Sequence, residues 1–300
     1  MITIDALRIC DGERTLLDGV TMHLPANAVH GIAGEGRSAL LQALYGLVVP
    51  DAGRITAGGH PLRRCDVGFA EAEPRFWPGL TARDCLDLAV RYNSGSNPAV
   101  MLRRLPVPLD AEAAALPAAE RKRLALVLLL LKPKRVLLLD EPFRGLDVES
   151  SFMLRQLILQ LGSEGRTVLV AARLAELDGI CDDFYVLGGG VVRGRYEHYE
   201  FARAVREAAA PQIELRFQIG ISRHCGVPYL MEKLAPFWDR PEFYSLDLYG
   251  DEQAQPIENF IPLYRRARQS GWVLKAHVGE WGSAQDVRQA VECLDLDEVQ

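Results

Sequence analysis

The sequence predicts an α/β fold in two parts, and three observations lead to this prediction. Strand, glycine-rich turn and helix patterns alternate from Met1 to about Val192, the order expected of an α/β domain. Within that region, the apolar run Val136–Leu139 leads directly into Asp140 and Glu141, as in a buried parallel strand. Shorter strand and helix patterns alternate again after residue 211. A chain of 300 residues is long enough for two domains with cores of their own.

The composition argues against several classes of protein. The net charge of −6 gives no basis for nucleic-acid binding, and we interpret the basic cluster Arg121-Lys122-Arg123 as a solvated helix face. The N-terminus lacks a signal-peptide pattern, and the longest apolar run, Leu124 to Leu131, is too short to span a bilayer. The six cysteines are scattered without a CxxC pair, which favours a reducing, cytoplasmic location.

The two carboxylates after the apolar run are the first candidate site, because α/β folds place phosphate chemistry at the carboxyl edge of the sheet. The run, together with Arg144-Gly145-Leu146-Asp147 after it, resembles the Walker B and D-loop segments of ABC-type ATPases. Further landmarks of that family follow in order, so the resemblance covers residues 1 to about 195. It implies a P-loop NTPase-like (ABC-type) domain, with Asp140 as the Mg²⁺ anchor and Glu141 as the general base.

The phosphate loop departs from the pattern of that family. Read without gaps, residues 31–38 fit GxxxxGK[ST] with Arg37 in place of lysine. The flanking strand favours a second alignment, in which the loop between Gly34 and Gly36 has lost about three residues, or roughly 10 Å of extended chain. A loop so short does not encircle a triphosphate. By the resemblance, the candidate nucleotide-binding residues are Gly34, Gly36, Arg37, Ser38 and Asp140.

At other positions too, this sequence lacks the side chains that the family uses to bind the nucleotide or the metal. Asp11 stands where an aromatic ring would stack on adenine, Ala72 where a glutamine would contact the metal, and Arg173 near the switch histidine. The signature segment reads Leu116-Pro117-Ala118-Ala119-Glu120, in which Pro117 has no N–H and Glu120 repels phosphate. We therefore expect ATP and Mg²⁺ to bind weakly or not at all, without hydrolysis. On this view Asp140 and Glu141 cap the sheet edge.

A helical linker is predicted over residues 196–211, with Phe201 to Ala209 at helical spacing and a break at Pro211. Residues 212–300 then alternate strands with helices, as in a partial (β/α) barrel. The predicted strands are Ile213–Ser222, Phe243–Gly250 and Trp272–Gly279. The predicted helices are Pro228–Trp238, Ile257–Gln269 and Ala284–Leu294.

Two motifs end strands of this second part, namely Asp247-Leu248-Tyr249-Gly250-Asp251-Glu252 and His277-Val278-Gly279-Glu280. A lone His-x-x-Glu is more typical of an ordinary histidine. Together with Ile221-Ser222-Arg223-His224, however, the two motifs resemble the adenosine deaminase family. The resemblance implies that His277 is a zinc ligand, that Glu280 shuttles a proton, and that Gly250 offers its N–H to a purine. Zinc would lower the pKa of a bound water beside that carboxylate.

The ligand set for zinc is incomplete. A catalytic zinc needs about three protein ligands, whereas this sequence offers His277 and contains no His-x-His pair. The resemblance covers about half a barrel, so two strand edges are expected to be open and to need a cover. The candidates for that cover are the first domain, another copy of the chain, a partner chain, or residues beyond the given sequence.

The sequence favours a binding or regulatory protein in which neither part is catalytic alone. One alternative is a zinc-dependent purine deaminase completed by another chain or by missing sequence. Another is an ATP-hydrolysing regulator or transporter subunit that uses Glu141. A membrane permease partner is not favoured, because the helical insertion between Thr81 and Leu116 is short. A fused or fragmentary reading frame is the last alternative.

Overall fold

The computed structural model of the chain describes residues 1–92, 97–177, 179–197 and 216–300. The chain divides into two compact units, Met1–Arg195 and Tyr196–Gln300. The predicted linker helix and the start of the predicted strand Ile213–Ser222 lie outside the described residues. None of the helices in the described ranges is long and apolar enough to cross a membrane.

The described residues of the first unit form ten strands in two sheets. They are β1 (Ile2–Asp11), β2 (Arg14–Leu24), β3 (Val29–Gly34), β4 (Ala52–Ala57), β5 (His60–Pro61), β6 (Val67–Ala70), β7 (Val136–Asp140), β8 (Thr167–Ala171), β9 (Asp183–Gly188) and β10 (Val191–Glu197). An antiparallel sheet has the order β2-β1-β4-β5, and a six-stranded sheet has the order β10-β9-β3-β8-β7-β6. Strands β9, β3, β8, β7 and β6 run parallel to one another, which explains why their sequences are nearly continuous apolar runs.

Six α-helices in the described part of this unit connect and cover the strands, together with short 3-10 helices at Arg64–Asp66 and Ala113–Ala115. The α-helices are α1 (Arg37–Tyr45), α2 (Ala82–Tyr92), α3 (Pro98–Arg104), α4 (Ala118–Leu130), α5 (Val148–Ser163) and α6 (Leu174–Leu177). Helix α5 begins after Asp147, whose side chain accepts a hydrogen bond from the Ser150 amide. That bond satisfies a backbone donor which the helix itself leaves unpaired. Helix α1 ends at Gly46, whose positive φ of 78° suits glycine.

The core lies on both faces of the six-stranded sheet, and β7 shows why. Leu137 and Leu139 belong to one buried apolar cluster, which also contains residues of α4 and α5. Leu138 belongs to a second cluster, with residues of α1, β1 and β2. Successive side chains of a strand point to opposite faces. The strand is therefore buried on both sides, and its end is held in a fixed position.

The carboxyl ends of the parallel strands meet along one edge of this sheet. Asp140 is the last residue of β7 and pairs with Ala171 at the end of β8. The end of β6 at Ala70 pairs with Leu139. Strand β3 ends at Gly34 beside Leu187 of β9. This edge is where the sequence predicts that Asp140 and Glu141 lie.

The second unit is a parallel sheet covered by helices. Its strands are β11 (Phe217–Ser222), β12 (Phe243–Tyr249), β13 (Val273–Ala276) and β14 (Glu298–Val299), in that order in the sheet. Its helices are α7 (Val227–Leu234), α8 (Ile261–Gln269), which follows a 3-10 turn at Ile257–Phe260, and α9 (Ala284–Leu294). The α/β class is confirmed in both units, whereas closure into a barrel stays a prediction.

Helix α8 packs on β12 and β13 of this second sheet. Leu263 and Tyr264 of the helix, and Leu246 and Leu274 of the strands, are each at most 1% exposed. The Tyr264 hydroxyl donates to the Lys275 carbonyl oxygen at 2.5 Å, which satisfies the polar end of a buried ring. Apolar strand positions thus face the helices, and this packing fixes the ends of β12 and β13.

Candidate functional site

The turn between β3 and α1 contains the phosphate loop predicted from the sequence. Strand β3 ends at Gly34 and α1 begins at Arg37, so residues 35 and 36 alone connect them. A Cβ atom at Gly34 would lie 1.9 Å from the Leu187 carbonyl oxygen, and one at Gly36 would lie 2.7 Å from the Leu17 side chain. The turn therefore packs directly against neighbouring strands and does not form an extended loop.

The Arg37 side chain folds back over this turn. Its Nη1 donates to the Gly34 carbonyl oxygen at 2.7 Å, and its Nε donates to Glu141 Oε1 at 2.7 Å. Its Nη2 bonds to the same carboxylate oxygen. The two side chains are 27% and 11% exposed, so the ion pair is largely shielded from water. Arg37 thus joins the end of β3 to the residue that follows β7.

Asp140 and Ser38 are the residues predicted to hold Mg²⁺, and here they bond to each other. Asp140 is 3% exposed. The Ser38 hydroxyl donates to Asp140 Oδ1 at 2.9 Å. Burial raises the pKa of the Asp140 carboxyl, and the hydrogen bond from Ser38 opposes that rise. The site thus contains a buried carboxylate that is costly to ionise.

The backbone of Glu141 is in the left-handed region, with φ at 46°, which is uncommon outside glycine. Its N–H donates to the Ala171 carbonyl oxygen at 2.8 Å. The Lys122 ammonium donates to the Glu141 carbonyl oxygen at 2.6 Å and to the Arg144 carbonyl oxygen at 2.9 Å. These bonds hold the strained residue in place.

The interpretation of Arg121-Lys122-Arg123 as a solvated helix face is wrong for Lys122. This residue is 5% exposed, and burial lowers the pKa of its ammonium group. Its burial is tolerated because two backbone carbonyl oxygens accept hydrogen bonds from the ammonium group. Arg123, with a side chain 15% exposed, likewise bonds to Asp147 Oδ2 at 3.0 Å.

A cleft of about 660 Å³ opens beside these groups. Ala72, where the family has a metal-contacting glutamine, lines it without contributing a polar side chain. Arg173, at the switch position, also lines it and bonds to Glu176 Oε1 at 2.6 Å. The lining residues are Arg37, Ser38, Ala72, Glu141, Phe143, Arg144, Gly145, Leu146, Ser151, Arg155, Arg173 and Glu176.

Helix α4 begins at the signature position. Pro117 is its N-cap and provides no side-chain hydrogen bond to the first turn. Glu120 lies in that turn, where a negative charge suits the helix dipole, and its Oε1 is 3.8 Å from Arg123 Nη2. The geometry gives Glu120 a role within its own helix.

His30 and Asp183 form a second buried polar contact, which the sequence analysis did not identify. His30 Nδ1 is 2.6 Å from Asp183 Oδ1, and Nε2 is 2.9 Å from the Pro25 carbonyl oxygen. Asp183 also accepts a bond from Arg195 Nη2 at 2.7 Å. Burial alone would raise the pKa of Asp183, but His30 and Arg195 outweigh it and the pKa is lowered. No short motif reveals partners 153 residues apart.

In the second unit, His277 follows β13 and contacts the strand beside it. Its Nδ1 is 3.2 Å from the carboxylate of Asp247, which is 3% exposed. Gln218 Nε2 donates to the same carboxylate at 3.0 Å. Burial raises the pKa of Asp247, and the nearby His277 opposes that rise. The side chain of His277 remains 40% exposed.

Gly250 and Glu280 lie at the same sheet edge, after β12 and β13. Gly250 has a φ of 105°. Glu280 is exposed. The turn around it is held by Glu252, whose carboxylate accepts hydrogen bonds from the Gly279 and Trp281 amides, each at 2.9 Å. The sequence did not single out a role for Glu252 in positioning this turn.

Zinc has no support in this geometry. Across the described ranges, no group of three or more His, Cys, Asp or Glu side chains is placed to hold a metal ion. His277, the predicted ligand, has Asp247 as its ring partner. The zinc and purine roles of His277, Glu280 and Gly250 therefore stay predictions.

Comparison with known proteins finds a match in each unit. The ABC transporter profile matches residues 17–144, and the adenosine deaminase profile matches residues 200–300. The aliphatic sulfonates import ATP-binding protein SsuB 1 of Nocardia farcinica is 32% identical, over 75% of this chain and 92% of that protein. The Nod factor export ATP-binding protein I of Ralstonia nicotianae is 28% identical, and this chain spans 65% of its length.

Solved structures agree on the fold of the first unit. An ATP binding subunit of an ABC transporter superposes with a TM-score of 0.60 at 22% identity, over 70% of this chain and 95% of that one. Both resemblances predicted from the sequence, to ABC-type ATPases and to part of the adenosine deaminase family, are confirmed. The chain belongs to the family of ABC transporter ATP-binding proteins.

Proposed function

We propose that this protein has an ABC-type ATP-binding domain without ATPase activity and acts as a binding or regulatory protein. The observation that supports this most is the connection between β3 and α1, which consists of residues 35 and 36. Walker A chemistry depends on backbone N–H groups that curl around the phosphates. A connection of this length does not supply that curl.

The residues present do not fit Mg·ATP. Arg37, at the lysine position, donates hydrogen bonds to the Gly34 carbonyl oxygen and to the Glu141 carboxylate. Gly36 leaves no space on the side of Leu17. The names of the relatives include ATP binding, so weak or absent binding is a departure that we propose for this chain.

The second candidate function is an ATP-hydrolysing subunit of an import or export system. The relatives are named as import and export ATP-binding proteins. The approach of Ser38 to Asp140 keeps two metal-binding groups together, which favours this alternative. In either case we propose that a partner chain or a second copy associates with the protein, on the cytoplasmic side. The six free cysteines fit a reducing compartment.

For the second unit we propose an incomplete adenosine deaminase-like domain. The match over residues 200–300 and the contact of His277 with Asp247 support the likeness. A deaminase activity would need zinc ligands that the described residues do not supply.

Phosphate release from Mg·ATP tests the proposal. We expect the wild type and Glu141→Gln to give the same background rate. Turnover that Glu141→Gln abolishes would establish the ATPase alternative instead. Ammonia release from adenosine with added zinc is the parallel assay, in which we expect no activity. Activity lost in His277→Ala or Glu280→Ala would establish the deaminase.

A further inference from the structure

The residues after β7 form a turn that three basic side chains of the first unit contact. We name residues 141–147 the 141–147 turn. Arg37 bonds to the Glu141 carboxylate, and Lys122 bonds to the carbonyl oxygens of Glu141 and Arg144. Arg123 bonds to Asp147 at the far end. Positive charge from α1 and α4 thus reaches both ends of the turn.

We propose that Arg37 is an internal latch, a built-in cation that keeps Glu141 paired and the 141–147 turn closed in the absence of any ligand. The proposal deepens the proposed function, because a latched Glu141 is not available as a base. Without Arg37, the largely buried carboxylate of Glu141 would lack the cation that offsets the cost of its burial.

The geometry of the guanidinium suits this role. Arg37 donates through Nη1 to the Gly34 carbonyl oxygen and through Nε and Nη2 to one oxygen of Glu141. A planar fork can bridge a carbonyl and a carboxylate, which a lysine ammonium does less well. The short β3–α1 turn places the fork within reach, since Gly34 lies three positions before Arg37. The bonds to Gly34 and Glu141 thus depend both on the short β3–α1 turn and on an arginine at position 37.

The strained backbone of Glu141 is the reason why loss of the Arg37 bond should affect the 141–147 turn. A left-handed backbone at a residue other than glycine is unfavourable and persists only where its surroundings enforce it. Here the Glu141 N–H is bonded to Ala171, its carbonyl oxygen to Lys122 and its side chain to Arg37. Release of the side chain removes one of these restraints, so the turn should open locally before the domain unfolds.

A double-mutant cycle in urea tests the latch without any nucleotide. Arg37→Gln should lower the folding equilibrium constant about 10- to 100-fold, as for a hydrogen bond to a charged group. In a Glu141→Gln background, the same change should cost about tenfold less. The matched control is the exposed pair of Arg63 and Asp66, whose side chains are 72% and 49% exposed. That pair should show no resolvable coupling. Additive effects at Arg37 and Glu141 would overturn the latch.

Hydrogen exchange distinguishes local opening of the 141–147 turn from destabilisation of the whole domain. In Arg37→Gln, peptides covering the 141–147 turn should exchange about tenfold faster, while β9 keeps its rate. A uniform increase, or none, contradicts the latch. If the glutamine variant does not fold, Arg37→Lys keeps the charge, and the same local increase is expected.

The latch and the proposed function fail in different ways. If Mg·ATP is hydrolysed while the cycle retains its coupling, the proposed function is wrong and the latch stands. If the coupling is absent and no ATP is hydrolysed, the latch is wrong and the proposed function stands.

Discussion

The two units place carboxylates at equivalent edges of parallel sheets, but the two edges differ in how those carboxylates are neutralised. In the first unit, Asp140 and Glu141 are buried and bond to Ser38 and Arg37. In the second unit Asp247 is buried, whereas Glu280 is exposed. The difference shows that burial, and not position at a sheet edge, decides whether a carboxylate needs internal partners. We therefore regard the first edge as closed by its own side chains. We call the second edge open because Glu280 lies in solvent, although the buried Asp247 there is also bonded, to Gln218 and His277.

The largest expected effect comes from the buried lysine of the closed edge. Lys122→Met keeps the apolar stem but removes the ammonium that donates to the carbonyl oxygens of Glu141 and Arg144. The Glu141 oxygen keeps a longer bond from the Arg144 N–H, at 3.2 Å. We expect the free energy of unfolding to fall by about 2–4 kcal/mol, measured by urea denaturation. The exposed Lys132 is the matched control, and Lys132→Met should change stability by less than about 0.5 kcal/mol. Equal effects would mean that the edge is not closed in this way.

A smaller effect is expected at Asp140 of the closed edge, in the pH dependence of the free energy of unfolding. The pKa of Asp140 is raised by burial, so the folded state binds this proton more tightly than the unfolded state. Its contribution to stability is therefore present at low pH and is lost as the pH rises through the folded pKa. We expect Asp140→Asn to be as stable as the wild type or more stable at neutral pH, and its stability to change less as the pH rises above the ordinary pKa of an aspartate, about 4. A clear loss of stability at pH 7 would contradict this sign.

The open edge should respond more weakly still. Glu252→Ala removes both bonds to the Gly279 and Trp281 amides, but water reaches this turn and can replace them. We expect a loss of about 1 kcal/mol in urea denaturation and faster exchange of the Gly279 and Trp281 amides. A loss above about 3 kcal/mol would show that the open edge is as closed as the first.

The smallest effect is expected at Glu280. This side chain is exposed, and the structure gives it no structural task among the described residues. Glu280→Gln should change the free energy of unfolding by less than about 0.5 kcal/mol, measured as for Glu252→Ala. A larger loss would mean that the second edge also uses this carboxylate to hold its fold.

The sequence predicted the strands and the edge well because apolar periodicity is a local signal. The run Val136–Leu139 identified a buried strand and placed Asp140 at its end. It missed the partners, since the bond from Arg37 to Glu141 joins residues 104 positions apart. Lys122 was misjudged because a basic cluster on a helix is usually solvated, and only tertiary structure supplies the carbonyls that bury it. Pairing across such distances is decided by packing and leaves no motif.

Titration calorimetry of the wild-type chain with ATP and Mg²⁺ tests the central claim most directly. The short connection between Gly34 and Arg37 predicts no saturable heat up to nucleotide concentrations of about 1 mM, where even a weak site with a dissociation constant near 1 mM begins to fill. A saturable isotherm with a micromolar dissociation constant would contradict the account.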